Sequence, residues 1–174
     1  MPEKLSVHVS LAEFIQTVLL NGLRRMVYDA NLHYLAFGTI AVGIEFLGAC
    51  KDSEPFNEEG LSKGRFGLGI QRLAKIDRRY TQFNQNRSPY CLYKLLRCGT
   101  AHVMRPAGPI LFTQRLHCAG QPEKHLDVVD GKLLLVCEDF YDHFAQGCES
   151  LIKELPRMRA SKLKDPYMWV GEVG

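Results

Sequence analysis

The sequence predicts a mainly α-helical single domain, a bundle of about five helices with a small β-hairpin inserted before the last. Three observations lead there. Apolar residues recur at helical spacing over most of the chain. The clearest strand-like stretch lies late, around Asp130-Gly131. A chain of 174 residues with 46% hydrophobic content suffices for one sizeable core but hardly for two. The expected boundaries are a domain over 1–156, a hairpin at about 110–136 and a basic C-terminal tail over 157–174.

The first helix starts at Ser10. Ser10-x-x-Glu13 fits a capping box, in which each side chain satisfies an otherwise unpaired backbone donor. Leu11, Phe14, Ile15, Val18, Leu19, Leu23, Met26 and Val27 continue it at helical spacing. A second helix opens near Asn31 and is apolar on most faces. Its stretch Leu32–Cys50 is long enough to suggest a membrane span. His33, Glu45 and its small residues favour a central bundle helix instead, so no membrane partner is expected.

The polar run Lys51–Gly60 reads as a loop. A weaker third helix covers about Ser62–Arg79, with Phe66, Ile70, Leu73 and Ile76 as its apolar edge. Gly64, Gly67 and Gly69 weaken it. They form no phosphate-binding loop, because no strand-to-helix turn surrounds them. Ser88-Pro89 supplies an N-cap and a first-turn proline for a fourth helix reaching about Met104, which Pro106 stops. Ile110–His117 and His125–Val136 read as strands, the second containing the tight-turn pair Asp130-Gly131. The last helix carries the stripe Phe140, Tyr141, Phe144, Ala145, Cys148, Leu151, Ile152 and Leu155, ended by Pro156. The tail lacks periodicity, and Tyr167 and Trp169 are its candidates for docking.

The net charge of +3 hides segregation along the chain. Lys63, Arg65, Arg72, Lys75, Arg78, Arg79, Arg87, Lys94, Arg97, Arg105 and Arg115 fall in a window with one acid, Asp77. Such a segment either attracts a polyanion or is balanced in space by the acidic flanks. The six cysteines show no Cys-x-x-Cys pair, so neither a metal nor another cofactor is expected. Glu13 interrupts the first apolar run and no cationic segment precedes it, so no secretory leader is expected. Unpaired thiols then suggest the cytoplasm.

Within the basic segment, the fourth helix places Arg97 five residues before His102. Arginine grips phosphate and histidine moves protons near neutral pH. The stretch Leu92-Tyr-Lys-Leu-Leu-Arg97-Cys-Gly-Thr-Ala-His102 resembles the Arg-x4-His helix of the HEPN superfamily (higher eukaryotes and prokaryotes nucleotide-binding). That resemblance implies a helical bundle and a metal-independent RNA endonuclease that works as a homodimer, of a kind found in toxin–antitoxin and antiviral defence systems. An antitoxin or another protein partner is implied with it. Arg97 would stabilise charge on the phosphate and His102 would move protons. The chain departs from the pattern twice. Cys98 follows the arginine where many active relatives carry a polar residue, often Asn. Met104 stands two residues after the histidine where toxins often carry Tyr. The alternative implied is a non-catalytic module that binds nucleotide, RNA or protein.

Five residues correspond to about 140° of net rotation on an ideal helix, so one copy makes a poor two-residue site. Dimerisation would join two motif helices in one cleft and supply two histidines. Supporting residues are Glu45, Cys98 and Tyr93. Glu45 either orients Arg97 or simply pairs with it, Cys98 is a packed thiol or a nucleophile, and Tyr93 packs or touches RNA. Lys94, Arg78, Arg79, Arg87 and Arg105 are the further candidates for RNA contact, with solvated surface charge as their other role.

Overall fold

The computed structural model describes residues 5–158 and 167–173. Strand β1 (Leu5–Ser10) leads into α1 (residues 11–29), followed by α2 (His33–Ala49), α3 (Ser62–Leu73), the short α4 (Arg79–Gln82) and α5 (residues 93–103). Then come β2 (Ile110–Thr113), α6 (Arg115–Cys118), β3 (Val128–Val129), β4 (Lys132–Val136), α7 (Cys137–Glu154) and β5 (Tyr167–Val173). The described chain is mainly helical, as its periodicity predicts.

The capping box at Ser10 forms. The Glu13 amide donates to Ser10 Oγ at 3.2 Å, and the Ser10 amide donates to Glu13 Oε2 at 2.8 Å. The helix that follows departs from ideal spacing. Phe14–Leu20 and Arg25–Asp29 are π-helical, with backbone bonds reaching five residues rather than four. The wider turn moves Val18 into solvent and Leu20 into the core, so the buried positions become Leu11, Ile15, Leu20, Leu23 and Val27.

Helix α2 runs through the middle. Ala36, Phe37, Ile40, Ala41, Ile44 and Leu47 are fully buried. They meet Ile15 and Leu23 of α1, Phe66 and Ile70 of α3, Leu92 and Leu96 before and within α5, and Phe140 and Phe144 of α7 in one core. No described helix is long and apolar enough to cross a membrane. Helices α2 and α3 touch backbone to backbone. A methyl group built on Gly69 would lie 2.8 Å from the Ile44 carbonyl carbon and closer still to its oxygen, and one on Gly48 would overlap the Arg65 carbonyl. The glycines that weaken α3 as a helix therefore include the one that lets it dock. Helix α3 stops at Leu73, earlier than its apolar edge suggests, because the amides of Ile76 and Asp77 both turn back to the Leu73 carbonyl.

The β region also differs from expectation. Asp130 and Gly131 do make the tight turn, both with positive φ (49° and 71°), as a type I′ hairpin requires. The hairpin it closes is short, Val128–Val129 against Lys132–Val136. Gln114–His117 is not strand: Arg115–Cys118 coils into one turn. Strand β2 lies parallel to β4, giving a three-stranded sheet of order β2-β4-β3 rather than one simple hairpin over 110–136. Phe112 of β2 stacks on Phe37 at 3.9 Å and fastens the sheet to the bundle.

Residues 167–173 are not a structureless tail, since β5 pairs antiparallel with β1 from Ser10↔Tyr167 to Leu5↔Val173. The docking expected of Tyr167 and Trp169 falls on side chains outside the described ones.

Candidate functional site

The motif helix begins later than Ser88-Pro89 suggests. Ser88 Oγ accepts from the Tyr90 amide, and the Leu92 amide donates to the Phe83 carbonyl at 2.7 Å, so this segment is held as turns. Helix α5 is π-helical over Tyr93–Cys98 and α-helical over Gly99–Val103. It ends at Met104, whose φ of 56° is left-handed. The chain then folds back across its own helix: the Ala107 amide donates to the Leu95 carbonyl at 2.8 Å. Gly99 makes room for this, because a Cβ there would sit 2.6 Å from the Arg105 carbonyl oxygen. The Tyr34 hydroxyl donates to the Met104 carbonyl at 2.7 Å and ties the turn to α2.

Arg97 points at α2. Its Nε donates to Glu45 Oε2 at 2.6 Å, and the two side chains are 20% and 19% exposed. The same carboxylate oxygen accepts from Ser62 Oγ at 2.8 Å, and Tyr93 Oη donates to Ser62 Oγ at 3.2 Å. Glu45, Ser62, Tyr93 and Arg97 thus form one polar network joining α2, α3 and α5. The Arg97 Nη groups make no bond among the described residues.

His102 lies apart from this network. It is exposed and has no polar partner among the described residues. One protomer therefore does not bring Arg97 and His102 together. Beside His102 is an apolar trough of about 430 Å³ lined by Tyr34, Leu35, Val42, Ala101 and Met104 among others. Tyr34, Leu35, Val42 and Met104, each 45–63% exposed, line this one face.

Of the other candidates, Cys98 is half-buried, while Lys94, Arg78, Arg87 and Arg105 are exposed. Arg79 is held by Asp77 and Asp127, each at 2.7 Å. Part of the basic run in the sequence is paired with acids in space. Arg65 and Arg72 are buried against Asp52 and Glu154, Arg97 pairs with Glu45, and Arg115 pairs with Asp139 and Asp142. With Arg79, five of the eleven cations counted in that window are matched by carboxylates, nearly all from the acidic flanks.

A second polar cluster carries no sequence signature. Tyr80 is fully buried, and its hydroxyl lies 2.9 Å from His125 Nε2 and 3.1 Å from His143 Nδ1. The Val136 amide donates to His125 Nδ1 at 3.0 Å. Burial pushes His125 down to about 3, lowers His143 and holds the Tyr80 hydroxyl protonated. His143 and His125 open onto a cleft of about 400 Å³ that Arg79, Arg115 and Lys124 also line. Residues 80, 125 and 143 come from three segments, so no spacing rule brings them together in advance.

No group of His, Cys, Asp and Glu side chains among the described residues has the arrangement of a metal site. Comparison with family models, with curated proteins and with solved structures finds no match for this chain.

Proposed function

We propose that this protein is a HEPN-like, metal-independent RNA endonuclease that acts as a homodimer, in a toxin or defence setting. The observation that carries the reading is the division of labour along α5. Arg97 is oriented by Glu45 with its Nη groups unbonded, and His102 stands in solvent one helical turn beyond, beside an apolar face. Two copies apposed through Tyr34, Leu35, Val42 and Met104 would bring two copies of His102 toward one cleft. One imidazole would take the 2′-hydroxyl proton and its imidazolium partner would protonate the leaving 5′-oxygen. Arg97 would stabilise the pentacoordinate phosphate. Lys94, Arg87 and Arg105, all exposed, would hold the strand.

The test is cleavage of single-stranded RNA in EDTA. His102→Ala is the decisive variant, because an exposed, unpartnered side chain can be removed without disturbing the fold. Activity should disappear in it and in Arg97→Ala, whose folding is checked separately because Glu45 loses its partner. Full activity in folded His102→Ala sinks the mechanism.

One observation favours a second reading, a non-catalytic HEPN-like module that binds nucleotide, RNA or protein. The charge of Arg97 is already balanced by Glu45. A dimer that binds RNA and never cuts it supports that alternative.

A further inference from the structure

The cluster behind the second cleft fixes the position of every proton in it. A neutral imidazole accepts at one nitrogen and donates at the other. His125 Nδ1 accepts from the Val136 amide, so its proton sits on Nε2 and points at Tyr80 Oη. The single proton of Tyr80 then goes to His143 Nδ1. His143 is left with its proton on Nε2, which has no partner among the described residues. One backbone amide thereby sets the tautomer of a histidine three hydrogen bonds away. Protonating His143 would put a second hydrogen against the Tyr80 hydroxyl, so the network opposes it as burial does.

The guanidinium groups at the cleft are fixed as well. Arg79 donates from Nε and Nη2 to Asp77 and from Nη1 to Asp127. Arg115 donates from Nε to Asp139 and from Nη2 to Asp142, and its Nη1 makes no bond among the described residues. Asp77, Asp127 and Asp142 have both oxygens engaged: Asp127 also accepts from the Lys124 amide, and Asp142 from Tyr28. The lining charges balance, with Arg79, Arg115 and Lys124 against Asp77, Glu123 and Asp139, and the unbonded His143 Nε2 and Arg115 Nη1 supply N–H donors there. Donors held in place within a cleft of little net charge suit an oxyanion bound by hydrogen bonds rather than by field.

We propose that this cleft binds a phosphoryl group, of a free nucleotide or of an RNA strand, with His143 Nε2–H as its central donor beside Arg79 and Arg115. A volume of about 400 Å³ accommodates one nucleotide. The site is separate from Arg97 and His102, and the proposal stands or falls independently of the endonuclease reading.

The test uses the ¹⁵N-labelled full chain and long-range ¹H–¹⁵N spectra of the histidine rings. His143 should show the Nε2–H tautomer at pH 7.5, despite Asp77, Asp139 and Asp142, which favour its charged form, and Arg79, which opposes it. Inorganic phosphate, uridine monophosphate and a 2′-O-methyl oligonucleotide are then added in turn. A saturable shift of the His143 Nε2 signal with any of them supports the site. Response to the monophosphate alone assigns a free nucleotide, and tighter response to the oligonucleotide assigns a strand. His143→Phe should weaken binding at least about tenfold, the scale of one lost hydrogen bond to a charged group. His143→Gln, which keeps an amide N–H near the same position, should stay within a few-fold. The proposal is overturned if no probe moves the His143 signal, if free His143 carries its proton on Nδ1 at pH 7.5, or if His143→Phe binds as tightly as the wild type.

Discussion

Replacing Gly69 by alanine tests the contact on which the bundle is built. The new methyl would lie 2.8 Å from both the carbonyl carbon and Cγ2 of Ile44, and closer still to the carbonyl oxygen. Ordinary contact begins at 3.4 Å, and the clashing atoms are mostly backbone, so no rotamer change relieves the overlap. Helices α2 and α3 must part by on the order of 1 Å, loosening Ile44, Phe66, Ile70 and Leu73, all of which are fully buried. Overpacking of this kind costs about 1–3 kcal/mol, and the rigid obstacle puts Gly69→Ala at the upper end. The better helix propensity of alanine returns about 1 kcal/mol, leaving a net loss of about 2 kcal/mol. Gly64, in the same helix, is the control: it is exposed with nothing within 4 Å, so alanine there should stabilise by about 0.5 kcal/mol. The two substitutions are chemically identical and should move the urea midpoint in opposite directions. For a chain of this size the Gly69→Ala melting temperature should fall by about 4–8 °C. A Gly69→Ala protein as stable as wild type would refute the close approach of the two helices.

Three further outcomes follow from the same structure. Glu154→Ala leaves Arg72 buried and unpaired and should cost about 3 kcal/mol in urea unfolding. Arg72→Met removes the buried charge with its unbonded Nε and lets the part-exposed Glu154 hydrate, so it should stay within about 1 kcal/mol of wild type; equal losses in both would contradict this asymmetry. His125 holds its folded pKa at about 3, below the unfolded value near 6.5, so the unfolded chain takes up the extra proton. That contribution is complete above pH 6.5 and lost on acidification, by about 2 kcal/mol at pH 5; urea midpoints unchanged between pH 7.5 and 5 would show that His125 is not buried and neutral. Val42→Glu, at a half-exposed position on the apolar face, should leave stability within about 0.5 kcal/mol but convert a dimer to a monomer in sedimentation and abolish RNA cleavage. A Val42→Glu dimer that still cuts would remove this face from the proposed assembly.

Local signals in the sequence translated well into structure. Ser10 and Glu13 cap the first helix, the stripe from Phe140 to Leu155 is the buried face of α7, and Asp130-Gly131 turns a hairpin. The Glu45–Arg97 contact was also foreseeable, since a carboxylate on a buried helix needs a cation. What escaped depends on partners distant in sequence or on helix type. The π-helical turns in α1 and α5 shift which side chains face inward, and apolar spacing assumes the α-helical period. The parallel pairing of β2 with β4 and the antiparallel pairing of β1 with β5 join segments that no turn motif connects. Arg65 and Arg72 look like solvated charge because their acids, Asp52 and Glu154, lie 13 and 82 residues away. Tyr80, His125 and His143 are ordinary residues until the fold joins them.

The ion pairs also bear on the chain before it folds. Arg72 and Arg115 find their carboxylates on α7, so both stay uncompensated until that helix docks. The middle third is then a strongly cationic polymer in the unfolded ensemble and a partly neutralised one in the native state, with five of its eleven cations paired. Heparin or bulk RNA should bind the denatured chain more tightly than the folded protein and lower its apparent melting temperature, an effect that salt should reverse. In a crowded ribonucleoprotein environment, nonspecific polyanions would compete with folding until the last helix is in place.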